Sequence, residues 1–245
     1  MSLDNIRIVL VRPTHPGNIG AAARAMKTMA LPNLWLVAPS RFPSPQAVAM
    51  AAGADDVLTR AHVTADLDAA IAECRTVFGS SARSRRIGWP TLDPRAAAAR
   101  LIQAAREGPV AILFGQERAG LTNEELDRCH ALVQIPANPA YSSLNVASAV
   151  QLLAYELYVA AQAAPALPAG EHPPATAEEL QRFYRHLEEV LVSIRFLDPE
   201  NPRLLMRRLM RLFNRAAPDR NDINILRGIL TAVEQARKLD KNTRE

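Results

Sequence analysis

Val110-Ala-Ile-Leu-Phe-Gly-Gln-Glu-Arg-Ala-Gly-Leu121 decides how the first two-thirds of the chain is read. Five consecutive apolar residues, too few for a helix, stop at a glycine-flanked polar loop. A short unbroken apolar run is the mark of a strand buried on both faces, and that requires helices above and below a mainly parallel sheet. Four other brief apolar runs, at residues 6–11, 34–37, 76–78 and 132–135, have the same form and alternate with helical patterns. The region from Ile6 to about Gln162 therefore reads as α/β.

Helix starts between these runs carry suitable caps. Ser44 precedes Pro45, Asp93 precedes Pro94, and Thr122-Asn-Glu-Glu125 is a capping box whose side chains satisfy the first unpaired backbone amides. The first helix places Ile19, Ala22, Ala23, Met26 and Met29 on one stripe, which leaves Arg24 off it, near the small residue Gly20. Arg24 is expected to point away from the core.

With 245 residues, 49% hydrophobic and 22% charged, the chain buries a sizeable core in one large domain or one plus an appendage. A net charge of +4 suits a polyanionic partner only weakly, so where the basic residues cluster matters more. Asp4 and Arg7 interrupt the opening apolar stretch, and no uncharged run of about 18 apolar residues occurs. The expectation is a cytoplasmic protein with no membrane association. Cys74 and Cys129 lie in apolar helical patterns without CxxC or metal-ligand spacing, so they are read as buried reduced thiols, with no metal.

Residues 164–175, Ala-Pro-Ala-Leu-Pro-Ala-Gly-Glu-His-Pro-Pro-Ala, break all periodicity and have the composition of a semi-rigid linker. The division is then residues 1–163 as the α/β domain, 164–176 as linker and 177–245 as a small all-helical extension. Thr176-Ala-Glu-Glu179 is a capping box, Asn201-Pro202 reads as a further cap, and Ile225, Leu226, Ile229, Leu230 and Val233 mark a last helix. The extension's middle helix carries Arg203, Arg207, Arg208, Arg211 and Arg215, with Arg220 just beyond. That density suits phosphate contacts; the alternative is a solvated helix paired with Glu188 and Glu189.

Three loops gather small and polar residues just after strands, where open parallel sheets place their ligand crevices. They are His15-Pro-Gly-Asn-Ile-Gly-Ala-Ala-Ala-Arg24, the loop from Phe114 to Leu121, and Ile135-Pro-Ala-Asn-Pro-Ala-Tyr-Ser-Ser-Leu-Asn-Val146. GxxxxGK[ST], a GxGxxG after the first strand, GxSxG and HExxH are all absent, which argues against phosphate-loop kinases, classical dinucleotide enzymes, simple hydrolases and zinc proteases.

In this order and spacing the loops resemble the three motifs of the SpoU branch of the SPOUT RNA methyltransferases. Asn18-x-Gly20-x-x-x-Arg24 is similar to the first, Gly115-x-Glu117-x-x-Gly120-Leu121 to the second, and Ser143-Leu144-Asn145-Val146, led by Pro136, to the third. Gly79-Ser-Ser-Ala-Arg-Ser-Arg85, the Asn138-Pro-Ala-Tyr-Ser-Ser143 approach and the helical tail resemble the TrmJ-type subgroup. The resemblance covers roughly Ile6 to Leu157, and in the tail it extends only to layout. It implies a SPOUT fold with a C-terminal trefoil knot, where unaided reasoning gives an ordinary doubly wound sheet. It also implies a homodimer, S-adenosyl-L-methionine as cofactor, and tRNA as partner. The expected product is a ribose 2′-O-methyl group on cytidine or uridine 32 of the anticodon loop. Ribosomal RNA or another tRNA position, and a non-catalytic RNA-binding protein of this fold, are the rival readings.

The same resemblance assigns cofactor contacts to Ser80, Ser81, Ala82, Gly115, Ile135, Ser142, Ser143 and Leu144. The residues themselves leave other roles open: Ile135 as core strand, Leu144 as core helix, and Ser142 or Ser143 as a helix N-cap. Arg24 is the substrate-side candidate, suited to stabilising a developing alkoxide and gripping a phosphate. Asn18 caps the first helix, orients Arg24, or does both. Glu117 pairs with a site arginine, such as Arg24 of the same or the partner subunit, or is a solvated carboxylate. Asn145 is a site-orienting amide or a helix-start residue. Tyr141 and Trp89 are candidates to stack on unpaired bases, or simply pack. Arg83, Arg85 and Arg86, with Arg207, Arg208 and Arg211, are the RNA-contact candidates.

Overall fold

The computed structural model describes residues 2–81, 90–163 and 172–242. A 3-10 turn (Ser2–Asn5) leads into β1 (Ile6–Val11), α1 (Pro16–Thr28), β2 (Asn33–Val37), the short helices α2 (Pro45–Ala51) and α3 (Asp55–Thr59), β3 (His62–Thr64) and α4 (Leu67–Ile71). Then follow β4 (Thr76–Ser80), β5 (Thr91–Leu92), α5 (Pro94–Ala104), β6 (Val110–Phe114), α6 (Asn123–Leu126), β7 (Ala131–Val133) and α7 (Val146–Ala163). The chain ends with α8 (Ala177–Ser193), α9 (Leu205–Ala216) and α10 (Arg220–Asn242).

The strands form one sheet in the order β3-β2-β1-β6-β4-β7-β5, and every pairing is parallel. Alternation along the strands divides the core. Ile6, Ile8 and Leu10 face α1, α2, α5 and α7 in the larger cluster. Val9 and Val11, with Val77, Ala111 and Leu113, face a thinner layer built from α4, α6 and the first residue of α8, Ala177. Arg7, a charge inside a buried strand, is satisfied by donating to the Ala70 carbonyl at 2.8 Å and by an ion pair with Glu73.

The expected runs at 6–11 and 110–114 are strands with those bounds, and the runs at 34–37 and 76–78 lie within β2 and β4. The run at 132–135 is corrected: β7 stops at Val133, which puts Ile135 in the following loop. β3 and β5 were not foreseen. Ser44, Asp93, Thr122 and Thr176 cap their helices, the last two as complete capping boxes. Asn201-Pro202 is not a cap. Arg203 takes a left-handed backbone (φ 50), so α9 begins only at Leu205. In α10, Leu226, Leu230 and Val233 pack inward with Ile223, whereas Ile225 and Ile229 are exposed.

The extension docks on the α/β domain. Ala177 N donates to the Cys74 carbonyl at 2.7 Å and Glu178 N to that of Ala72. Buried Asn214 accepts from Tyr184 Oη at 2.5 Å and donates to the carbonyls of Asp127 and Cys129. Residues 164–171 of the proline-rich stretch lie outside the described residues. At its far end Ala175 is buried and donates to the Pro218 carbonyl at 3.1 Å.

Candidate active site

At the β1–β6 pair the chain leaves in opposite directions along the sheet, which opens a crevice at the carboxyl ends of the strands. The loops after β1, β4, β6 and β7 surround it. The loop after β1 runs Arg12-Pro-Thr-His-Pro16, and its two prolines leave the Thr14 and His15 amides as donors without a helical partner. Glu117, in the loop after β6, meets that need. Its carboxylate accepts from Thr14 N at 3.1 and 3.2 Å, Thr14 Oγ1 at 2.8 Å, His15 N at 3.2 Å and Asn18 Nδ2 at 3.1 Å. Partial burial alone raises this carboxyl, but the Asn18 amide, the backbone amides and Thr14 outweigh it and hold it at about 2. Glu117 is therefore a fixed anion.

The third loop joins the same network. Asn145 Nδ2 donates to Asn18 Oδ1 at 3.0 Å, while Asn145 Oδ1 accepts from Ala147 N at 2.8 Å, which caps α7. Asn145 thus does both jobs proposed for it, and neither Ser142 nor Ser143 is the cap. Asn18 is not the cap of α1: that position is His15, which makes no side-chain cap bond. Asn18 instead links Asn145 to Glu117. Glu117 is not paired with Arg24 of its own chain, because loop donors occupy the carboxylate.

The loop after β6 folds tightly. Gly120, at φ 68, donates from N to the Gln116 carbonyl at 2.8 Å. This brings the backbone of Gly120 and Leu121 against Gly115, where a Cβ would lie 2.2 Å from Gly120 C and Leu121 N. Only glycine fits there. Gly20 plays a comparable part on α1, where a Cβ would fall 2.0 Å from the Ala47 carbonyl oxygen of α2.

These loops surround a cleft that is open to solvent. Ser80, Ser81, Gly115, Ile135, Ser142, Ser143 and Leu144 all line it, over a floor that includes Phe114, Leu121, Val146 and Ala149. Ile135 also packs against the core, but from the loop after β7 and not as a strand residue. Leu144 is 40% exposed and not a core residue. Gln116 and Ala119, for which the sequence suggested no role, line the cleft too. Thr14 and His15 are the residues sequence reasoning missed; the flanking prolines were the available signal.

Other candidates fall elsewhere. Arg24 is exposed on α1 and does not line the cleft. Tyr141 is 81% exposed and does not pack within its own chain. Ala82, Arg83, Arg85, Arg86 and Trp89 lie outside the described residues. Arg207 binds Asp127 at 2.7 Å through Nε, across the contact between extension and α/β domain, whereas Arg208 is exposed. Among the described residues no group of three or more His, Cys, Asp or Glu side chains gathers as a metal site. No helix among them is long and apolar enough to cross a membrane.

Comparison with known proteins agrees with this geometry. The model of the SpoU rRNA Methylase family matches residues 5–155, and that of the C-terminal domain of tRNA methyltransferase TrmJ matches residues 178–244. A Sodalis glossinidius protein named tRNA (cytidine/uridine-2'-O-)-methyltransferase TrmJ is 54% identical over 241 residues, 96% of this chain and 94% of that protein. The crystal structure of TrmJ from Z. mobilis ZM4 superposes with a TM-score of 0.82 at 37% identity, covering 93% of this chain and 98% of that one. The fold is also shared with the SpoU methyltransferase AviRb from Streptomyces viridochromogenes, solved in complex with AdoMet. There the TM-score is 0.53 at 22% identity, over 66% of this chain and 62% of that one. The matched loops, the parallel sheet and the docked helical tail together make this chain a member of the SpoU methylase family, a methyltransferase of the TrmJ type.

Proposed function

We propose that the chain is a cytoplasmic, homodimeric tRNA ribose 2′-O-methyltransferase that uses S-adenosyl-L-methionine and acts on cytidine or uridine 32 of the anticodon loop. The observation that carries this reading is the Asn145–Asn18–Glu117 relay, which fixes three strand-end loops around one cleft of small residues. The names of relatives that match over nearly their whole length supply the RNA class.

The cleft suits the cofactor. Gly115 has backbone where any other residue would carry a Cβ, and serine hydroxyls and backbone groups stand beside an apolar floor. S-adenosylmethionine supplies a methyl on a sulfonium, already activated for attack by an alcohol. The protein's task is then to position the 2′-hydroxyl and stabilise its developing negative charge. Arg24 takes the second role. A guanidinium stays protonated, so it stabilises the alkoxide and grips the neighbouring phosphate; it does not act as a base.

An arginine outside its own chain's cleft is delivered by a second copy. α7 presents Leu152, Tyr155 and Val159 to solvent on one face, and it packs directly against α1, which carries Arg24. A partner seated on α7 sits beside that arginine. A trefoil knot belongs to the same reading. β7 lies between β4 and β5, with Ser81 N bonded to its Val133 carbonyl and its Leu132 N bonded to the Pro90 carbonyl. This placement of β7 between two strands that are consecutive in the chain supports the knotted reading. Arg208, Arg211 and the basic segment Arg83, Arg85, Arg86 are proposed to contact tRNA.

The test is transfer of labelled methyl from S-adenosylmethionine to total tRNA, with nuclease mapping of the product. A 2′-O-methyl pyrimidine at position 32 is expected, lost in Arg24→Ala. Mixing Arg24→Ala with Gly115→Ala should restore activity through heterodimers that keep one intact composite site. No label on tRNA redirects the reading to ribosomal RNA or to a binding protein; no rescue on mixing puts Arg24 in its own chain's site.

A further inference from the structure

We infer that the hollow between the end of α8 and the start of α9 is a binding site for one unstacked nucleobase of a tRNA loop and its phosphate. The inference rests on the tRNA reading above and adds a site to it. The hollow, open to solvent, is lined on its apolar side by Phe196, Leu204 and Leu205 and on its charged side by Arg203, Arg208 and Asp198.

Phe196 is 67% exposed, and the next residue, Leu197, is buried and anchors the turn. A phenyl ring held out on an anchored turn offers a flat face to a base, and stacking of this kind is how proteins take hold of single-stranded nucleotides. Both ends of the turn are held in left-handed backbone by arginines, Arg195 at φ 62 and Arg203 at φ 50. Non-glycine residues adopt that conformation at a cost and concentrate it at functional sites.

Charge points to the same ligand. α9 has four arginines and no acidic residue. Arg207 is committed to Asp127, whereas Arg208 is exposed at the rim of the hollow with Arg203. Asp198 is the opposing carboxylate. It already accepts from Glu200 N at 3.0 Å, and its remaining lone pairs suit the exocyclic amino group of a base. A ring beside two guanidinium groups matches a nucleotide better than an apolar protein surface.

The experiment uses full-length Phe196→Ala, Phe196→Tyr and Arg208→Ala, none of them in the cleft. Binding to unmodified tRNA is followed by anisotropy across a salt series, alongside S-adenosylmethionine affinity, methyl-transfer rate at saturating tRNA, thermal midpoint and light scattering. Phe196→Ala is expected to weaken tRNA binding by about fivefold or more with an unchanged salt slope, and Phe196→Tyr to restore it. Arg208→Ala is expected to weaken binding and lower the salt slope by about one. In the Phe196 variants, cofactor affinity, saturating rate and thermal midpoint should stay at wild-type values. Phe196→Ala and Arg208→Ala that bind tRNA within about twofold of wild type overturn the site while leaving the tRNA reading intact. So does a change of oligomeric state in Phe196→Ala with normal tRNA binding, which gives the hollow to a second copy. Wild-type protein that binds no tRNA overturns the tRNA reading itself, and this site with it.

Discussion

Replacing Glu117 with glutamine removes a charge while keeping shape and one acceptor oxygen, so it isolates what the anion contributes. The carboxyl's fall from 4.5 to about 2 corresponds to a ceiling of about 3 kcal/mol at 1.36 kcal/mol per tenfold. Water reaches much of this side chain and screens it, so about 1–2 kcal/mol is the expected net loss at pH 7. For a chain of this length that lowers the thermal midpoint by roughly 3–6 °C. The sign of the pH dependence follows from the direction of the shift. A depressed carboxyl stabilises the fold fully above its unfolded value of 4.5 and loses that contribution as pH falls toward 2. Urea unfolding followed by the fluorescence of Trp35 in β2 should show the Glu117→Gln deficit at pH 7 and pH 5, and a shrinking gap at pH 4 and pH 3. Equal stability at pH 7, or a gap that persists unchanged at pH 3, would refute the claim that this anion fastens the loop after β1 to the loop after β6.

Gly115→Ala forces a methyl into the Gly120–Leu121 backbone; overpacking of this kind costs about 1–3 kcal/mol, so calorimetry should show S-adenosylmethionine affinity reduced about tenfold, and a change below twofold counts against the cleft. Burial pushes the Cys74 thiol to about 12 and the Cys129 thiol higher still, so neither should react with a thiol reagent at pH 8 until the protein is unfolded. Burial, with the nearby Arg100 charge, lowers His130 to about 4, and its Nδ1 accepts from Val77 N at 3.1 Å. Its NMR titration midpoint should lie near 4, and the stability it contributes above its unfolded value of 6.5 should drain away as pH falls through 4. Arg207→Ala, which strips Asp127 of its partner, should lower the thermal midpoint by several degrees yet leave the salt slope of tRNA binding unchanged, in contrast to Arg208→Ala.

The strands that could be read from sequence are those whose burial leaves a continuous apolar trace, such as 110–114, all of it buried. β3 and β5 left no such trace. β3 is largely exposed at the sheet edge, and β5 has two residues, held by β7. Asn201-Pro202 misled because the pair has cap chemistry, while the backbone of Arg203, which decides where a helix begins, has no one-dimensional signature. Ile225 and Ile229 carry the right period for a buried stripe, but period alone does not say how wide a strip the neighbouring helices cover. The ion pair of Arg207 was not legible for a related reason, since its partner Asp127 is 80 positions away.

The cleft residues were legible because their spacing resembles known motifs, and all seven of those that are described line one cavity. Their partnerships were not. A glutamate near arginines suggests an ion pair, yet Glu117 is held by two backbone amides, a hydroxyl and an amide side chain. That choice has a mechanistic consequence. An anion neutralised by Arg24 would hold the guanidinium in the ground state and blunt its response to an alkoxide. Fixed dipoles instead let Glu117 build the loop scaffold without drawing on the arginine. Asn145 extends the scaffold by capping α7 and bonding Asn18 at once, so the start of the helix with the exposed apolar face is tied directly to the loops around the cleft. A second copy docking on α7 would then align its arginine with a cleft whose geometry is already set. Substitution of Asn145 should accordingly disturb both subunit association and methyl transfer.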